Sequence, residues 1–293
     1  MSNKKRLAAQ LMAASSAIFR CPVCSAAMEL QHVKSLECIN RHTFDLSKVG
    51  YVNLFTHSPK VKYEKQMFEA RHLLCQAGLF APMNQVISDY MIHELVDTDQ
   101  VIKLLDAGCG EGSHLFHLKK YVERKTASRL LGVGIDLAKE GVYIAAREYP
   151  NLIWCVADIA NCPFRDRQFH FIMNILSPAN YAEFQRVLMN GGTMIKVVPG
   201  KQHLQEIREY FYGQTARKAY TNDRTIQRFQ DDFRITAIER VTYKAAIAQE
   251  WMDAVIQMTP LSWGIAAEKQ QQALRMEVNE ITMDLTILFG KNK

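Results

Sequence analysis

VIKLLDAGCGEG, residues 101–112, is an apolar run that gives way to glycine at alternate positions. VIKLLDA reads as a buried strand. It ends in Asp106, and Gly108, Gly110 and Gly112 follow before a helix-like stretch, SHLFHLKKYVERK. Glycines at the C-terminal end of a strand let backbone approach a ligand closely. No G-K-[ST] follows, which excludes a P-loop. The dinucleotide fingerprint also fits poorly, because its third glycine position is Ser113, where close helix packing wants Gly or Ala. Downstream, LLGVGID (130–136) is a second strand ending in Asp136, AKEGVYIAAREY a helix, and LIWCVA a third strand with Asp158 just past its end. FHFIMNIL (169–176) is a fourth strand, followed by Ser177-Pro178. YAEFQRVLMN is a helix stopped by Gly191-Gly192, and TMIKVVP is a fifth strand. This alternation predicts an α/β fold with a doubly wound, mostly parallel sheet. Two late runs, 239–248 and 281–290, read as its final strands, a hairpin pair with a helical insertion. There are no internal repeats.

Upstream lies a second chemical pattern. CPVC (21–24) is followed by thirteen residues and then C-I-N-R-H (38–42), giving C-x2-C-x13-C-x3-H. Tetrahedral zinc takes four such ligands from two knuckles, so Cys21, Cys24, Cys38 and His42 are the expected set. Pro22 and Asn40 are turn-formers inside the knuckles, and MELQHVKSLEC between them alternates as a short hairpin would. All four positions are filled by protein, so the site is structural. Fewer than 40 residues surround it, so metal would supply much of its folding energy. His32 is a rival ligand, but it sits mid-hairpin without a partner at knuckle spacing. Three buried thiols and a surface histidine are the bland alternative. The seven cysteines are odd in number and scattered, which is no disulfide framework.

The 293 residues are 48% hydrophobic and 23% charged, ordinary globular values that exclude disorder as the main organisation. No apolar run is long enough to span a membrane. The net charge of +6 sits entirely in residues 1–66, which hold ten Lys or Arg against four acids; the other 227 residues carry 26 of each sign. A basic module on a neutral body suits a polyanion partner, nucleic acid first, or is simply a solvated basic face. His57, Lys60, Lys62 and Lys65 are candidate phosphate grips, and Tyr51, Phe55 and Tyr63 among them are candidate base-stacking rings or packing residues. Lys4-Lys5-Arg6 before LAAQLMAASSAIF has the outline of a signal peptide, but Gln10 and Ser15-Ser16 interrupt it and reduced thiols follow. The segment reads as a short basic helix or frayed tail of a cytoplasmic protein.

The Asp-x-Gly-x-Gly-x-Gly loop resembles that of class I S-adenosylmethionine methyltransferases. Together with the zinc module, the chain resembles the bacterial large-subunit rRNA guanine-N1 methyltransferases of the RlmA type. The stretches that carry this are CPxC…C…RHxFDxxKxGYVNL (Cys21 to Leu54), LLDAGCGEG, LSPANYAEFQRVL, GGTMIKVVPGKQHLQEIR and QMTPLSW (257–263), covering nearly the whole chain after Ser16. The resemblance implies S-adenosylmethionine as donor, structural zinc, and N1 of a guanine in hairpin 35 of 23S rRNA as acceptor. Ser177-Pro178 in place of an Ala-Pro pair leans toward the Gram-positive branch, associated with resistance to tylosin-type macrolides. It also implies a homodimer whose paired zinc modules form an RNA cleft. The implied layout is a basic tail (1–17), a zinc-binding RNA-recognition domain (18–60), a helical linker (61–99) and a methyltransferase domain (100–293). Implied donor contacts are Phe80, where other members carry Tyr, the loop Asp106, Gly108 and Gly110 with Ser113 and His114, then Asp136, Asp158 and His203.

Methyl transfer is an in-line displacement with a neutral leaving group, so positioning provides most of the acceleration. Neutral guanine carries a proton on N1 that a base must remove. Hairpin bases must splay or flip to reach the pocket. Asn174 and the Ser177-Pro178 turn are candidate base-edge contacts, and no carboxylate–histidine pair stands out as the base. Asp136 could equally be the N-cap before LAKEGV, Asp158 a solvated strand end, and His203 a helix-start residue without a ligand. Two other classes fit the same residues: a zinc-lidded small-molecule methyltransferase, and a non-catalytic zinc-dependent RNA-binding protein.

Overall fold

Helix α1 (Asn3–Ala14) carries an apolar stripe, Ala8, Ala9 and Met12, that is buried against the body of the protein. Lys4 donates to the Arg147 carbonyl at 2.5 Å and Lys5 to the Leu46 carbonyl at 2.9 Å. The approach is close: a Cβ on Gly50, at φ +107°, would lie 2.7 Å from the Ala8 methyl. The basic N-terminus is thus a docked helix and not a frayed tail, because its small-residue stripe fits flush. The computed structural model describes residues 3–56, 65–95, 100–213, 221–276 and 278–293.

The zinc module follows as a three-stranded antiparallel sheet, β1 (Met28–Gln31), β2 (Ser35–Cys38) and β3 (Thr43–Asp45). The predicted hairpin is present, with His32 and Val33 both at positive φ in its turn. Cys21, Cys24, Cys38 and His42 place their ligand atoms within 4.8 Å of one another. Cys24 Sγ is 3.6 Å from Cys38 Sγ, and His42 Nδ1 is 3.6 Å from Cys21 Sγ and 3.4 Å from Cys38 Sγ. A tetrahedron built on zinc–sulfur bonds of about 2.3 Å has edges of about 3.8 Å, so the set fits a closed zinc site. The Ala26 backbone N–H and then Asn40 hold the Cys24 thiol down at about 6, favouring the thiolate that metal requires. His32 is exposed in the turn and is no part of the cluster. Ser25, just after the first knuckle, and Arg41, inside the second, take left-handed φ of 61° and 64°, and their N–H groups close onto the Cys21 and Cys38 carbonyls.

The ribbon does not rest on metal alone. Cys21, Met28, Leu36, Cys38 and Leu46 belong to the same buried cluster as Leu105, Ile135, Ile153 and Phe169. Phe19 bridges to Phe164, their ring centroids 5.8 Å apart. β4 (Val52–Asn53) then runs parallel to β7 (Ile153–Val156), adding a strand to the large sheet.

Two helices, α2 (Lys65–Gln76) and α3 (Ala81–Glu94), come next, and both pack on helices of the following α/β unit instead of spanning open space. The α/β alternation proceeds as predicted: β5 (Ile102–Ala107), α4 (Ser113–Lys125), β6 (Leu130–Asp136), α5 (Lys139–Glu148), β7, β8 (Phe169–Ile175), α6 (Tyr181–Val187) and β9 (Leu188–Pro199). α7 (Gln205–Tyr212) and α8 (Asp223–Asp232) lead into β10 (Phe233–Ala246), which pairs antiparallel with β11 (Glu280–Asn292). α9 (Met252–Gln257) and α10 (Ala267–Ala273) form the helical insertion between them. The sheet order is β10-β11-β9-β8-β5-β6-β7-β4; β11 is antiparallel to β9, and the strands from β9 through β4 are parallel. Alternate residues serve opposite faces: Leu104, Met173 and Ile195 face a core built with α3, α4, α5, α7 and α9, while Leu105, Ile172 and Met194 face one built with α1, the ribbon, α6 and α8. Burial on both faces explains why these strands read as unbroken apolar runs.

One boundary differs from the sequence reading. α6 stops at Val187, not at Gly191-Gly192. Leu188 is drawn into the sheet opposite Phe169 and is fully buried, and the glycines form an irregularity inside β9, with Gly191 at φ +78°. No helix among the described residues is long and apolar enough to cross a membrane.

Trp154 is wedged beneath the glycine loop. Its ring occupies the space that a Cβ on Gly112 or Gly134 would need, 2.5 Å and 2.3 Å away, and its Nε1 donates to the Tyr149 carbonyl at 2.9 Å. Trp154→Ala is expected to lower unfolding stability by about 3–5 kcal/mol in urea titrations. Zinc analysis of the purified protein should give one ion per Cys3His cluster. Stripping it with a strong chelator should raise amide exchange across β1–β3 while β5, β8 and β9 stay protected.

Candidate active site

The site forms at the C-terminal ends of β5, β6 and β8, where the strand order reverses, the place where ligands bind in open α/β sheets. Its frame is the carboxylate of Asp136. Oδ2 accepts the Gly110 N–H and Oδ1 the Ala138 N–H, each at 2.8 Å. Asp136 therefore ties the glycine loop to the end of β6 and holds the turn that leads into α5, whose N-cap is Ala138 and not Asp136 itself. Burial pushes its carboxyl up, and the two N–H donors pull it back. Gly108, Gly110 and Gly112 all take positive φ, of 85°, 54° and 84°. At Gly108 the need is also steric, since a Cβ would lie 2.1 Å from Ser177 Oγ.

Asp106 is buried, and its Oδ2 has no hydrogen-bond partner. Burial holds its carboxyl well above the ordinary range. Phe80, His114 and Ser113 are buried around the loop. Phe80 meets the His114 ring edge-on with centroids 5.1 Å apart. His114 Nδ1 lies 3.0 Å from Asn84 Oδ1 and its Nε2 3.3 Å from an Arg71 nitrogen. Burial, and then Arg71, keep His114 neutral, which matches donation from Nδ1 and acceptance at Nε2. Ser113 Oγ donates to Glu111 Oε2 at 2.6 Å and sits 2.9 Å from Tyr149 Oη. Its hydroxyl belongs to a buried network with His72, whose Nδ1 is 3.0 Å from Glu111.

α2 lies directly over the loop. A Cβ on Gly110 would be 3.4 Å from the Phe68 ring, and one on Gly141 2.9 Å from it. Phe68 and Arg71 are site residues that the sequence reading missed. Nothing marked them beyond their place three apart on an amphipathic helix.

On the opposite side, Asn174 is fully buried and its amide is fully used. Nδ2 donates to the Ala107 and Pro178 carbonyls at 2.6 Å and 2.9 Å, and Oδ1 accepts from Lys196. It presents no free edge to a base, which corrects the expectation of a base-edge contact; it clamps the Ser177-Pro178 turn to β5. Lys196 also donates to the Ser177 carbonyl at 2.5 Å, and burial pushes its ammonium down to about 8. A lysine inside the apolar run TMIKVVP was the available signal for it.

His203 is buried just after β9, with Nδ1 unpartnered, and burial lowers it to about 4. The loop before it is held by Asp284, which accepts the Gln202 N–H at 2.9 Å and both Arg240 contacts at 2.9 Å. Asp158 lies past β7, half-buried, with Oδ1 accepting the Ala160 N–H at 2.8 Å. This hydrogen bond does not join it to the Arg71–His114 cluster.

Among the expected RNA contacts, His57, Lys60, Lys62 and Tyr63 lie outside the described residues. Lys65 is exposed and pairs with Glu69 at 2.8 Å. Tyr51 is buried and Phe55 half-buried against the core, so Tyr51 is a packing residue and not a stacking platform.

Residues 19–60 match the zinc-ribbon family described as "RlmA, N-terminal", and residues 104–192 match a family described as "Methyltransferase domain". A protein of Bacillus subtilis strain 168, "Putative 23S rRNA (guanine-N(1)-)-methyltransferase YxjB", is 39% identical over 275 residues, covering 93% of this chain and 96% of that one. The "23S rRNA (guanine(748)-N(1))-methyltransferase" of Streptomyces fradiae is 28% identical over 273 residues, covering 91% and 94%. Among solved structures, the YcgJ protein of Bacillus subtilis aligns with a TM-score of 0.47 at 13% identity, over 70% of this chain and 97% of that one. With a Cys3His ribbon, a glycine loop on a class I S-adenosylmethionine methyltransferase sheet and end-to-end similarity to the Bacillus protein, this chain belongs to the RlmA-type family of 23S rRNA (guanine-N1)-methyltransferases.

Proposed function

We propose that this enzyme transfers the methyl group of S-adenosylmethionine to N1 of one guanine in hairpin 35 of 23S rRNA. The observation that carries the reading is the glycine loop fixed by Asp136 in a chain that also keeps the closed Cys3His ribbon. The donor supplies a methyl on a sulfonium, activated for displacement. The chain's own residues bind and orient. Asp106, Gly108, Gly110 and Asp136 form the cradle, and the carboxylate oxygens of Asp136 retain lone pairs for ribose hydroxyls beside the two N–H groups they already accept. Phe80, His114, Ser113 and His203 are assigned to the same cradle; Phe80 packs on the His114 ring, Ser113 is fixed by Glu111, and His203 keeps an Nδ1 without a partner. Asp158 is assigned to the adenine end. On the acceptor side, the Ser177-Pro178 turn, pinned by Asn174 and Lys196, forms the ledge against which a flipped guanine would be oriented.

The layout follows the same reading. The ribbon and its basic flanks contact the hairpin, and the sheet carries the chemistry. Two copies would set two ribbons around one RNA.

Purified protein, labelled S-adenosylmethionine and unmodified large-subunit rRNA should give incorporation, with a primer-extension stop at a single guanine of hairpin 35. Donor binding without incorporation into rRNA would overturn the substrate and leave other RNAs or a small molecule. No donor binding would favour a non-catalytic RNA-binding protein. In calorimetry, Asp136→Ala is expected to weaken donor affinity at least about tenfold, and Asp158→Ala by less, on the order of twofold to fivefold.

A further inference from the structure

Arg71 occupies a position that neither the strand pattern nor the glycine loop explains. It projects from α2, half-buried, over the glycine loop that Phe68 of the same helix covers. Its guanidinium lies 5.7 Å from the Phe80 ring centroid and 3.3 Å from His114 Nε2. His114 is itself fixed by Asn84, so ring, imidazole and amide together hold the guanidinium in one orientation. Burial governs the ionisation of Asp106, Asp136, His114 and His203, and beside it the Arg71 charge favours the ionised form of the two acids and the neutral form of the two histidines. Yet among the described residues Arg71 makes no ion pair. Asp106, whose carboxyl feels that charge, has its Oδ2 buried without a partner.

An oriented cation without a carboxylate partner, whose charge reaches a buried carboxyl oxygen that has no donor, is complementary to a zwitterion. The methyl donor carries one on its amino-acid end. We infer that Arg71 anchors the α-carboxylate of the donor, with Asp106 Oδ2 receiving its α-ammonium. This rests on reading the cradle as the S-adenosylmethionine site. The consequence is a division of labour within one pocket: Asp136 serves the nucleoside, and Arg71 with Asp106 serves the amino acid. Arg71 thereby sets where the sulfonium methyl points, because it fixes the far end of the chain that carries the sulfur. A planar guanidinium suits this because it can pair with both carboxylate oxygens at once.

The test compares two ligands that share the adenosine and differ in the amino acid. Calorimetry with full-length protein would measure S-adenosylmethionine and 5′-methylthioadenosine against wild type, Arg71→Met and Arg71→Lys. Arg71→Met is expected to lose about 10- to 100-fold in affinity for S-adenosylmethionine and less than about twofold for 5′-methylthioadenosine. Arg71→Lys should show a smaller loss with the same selectivity, and it decides the matter if Arg71→Met does not fold. Equal losses for both ligands, or none for either, would mean that Arg71 only balances the charge of Asp106 and Asp136, and would overturn the inference. Failure of wild type to bind either ligand would instead overturn the underlying assignment of the pocket.

Discussion

The carboxylate of Asp136 is the point on which the site depends. Three glycines at positive φ have no conformational preference of their own for the shape they adopt here. What selects that shape is a buried acceptor that takes the Gly110 N–H with one oxygen and the Ala138 N–H, in the turn before α5, with the other. Trp154 completes the constraint from below, since its ring fills the volume that side chains on Gly112 and Gly134 would require. The loop is thus held by a polar contact at its crest and a packing contact at its base. Close approach to a ligand is built before any ligand arrives, so ordering the loop adds little to the free-energy cost of binding.

The same economy appears on the acceptor side. Asn174 and Lys196 are buried polar groups in the middle of the sheet, a placement that costs several kcal/mol unless each is satisfied. The Asn174 amide finds three partners and the Lys196 ammonium two, all of them at the C-terminal ends of β5 and β8, on β9 or in the turn after β8. Their role is geometric: they tie β5, β8, β9 and the Ser177-Pro178 turn into one rigid ledge.

Much of this was legible in the sequence. The strands from β5 to β9 show as apolar runs because both faces are buried, and the knuckle spacing leaves little freedom in choosing Cys21, Cys24, Cys38 and His42. The late hairpin was readable too, from its two extended runs. What escaped was decided by tertiary partners. α6 ends early because Phe169 needs Leu188 opposite it, and no local signal competes with Gly191-Gly192 as a stop. Tyr51 looks like a nucleic-acid contact among basic residues and is drawn into the core instead. Phe68 and Arg71 look like any apolar and any charged residue of an amphipathic helix. Only the packing of α2 across the loop gives them a function.

β4 is two residues long, and its place at the end of the large sheet has a consequence out of proportion to its size. It covers the outer side of β7 at Cys155 and Val156, whose backbone N–H and C=O groups would otherwise form an open edge ready to recruit a strand from another molecule. The ribbon segment therefore guards the catalytic half against self-association. A catalytic half severed from its first sixty residues would be left with a raw, adhesive border. The two parts of this chain can be told apart by chemistry, but they are not interchangeable modules, and any rearrangement that separates them must first provide a new cap for β7.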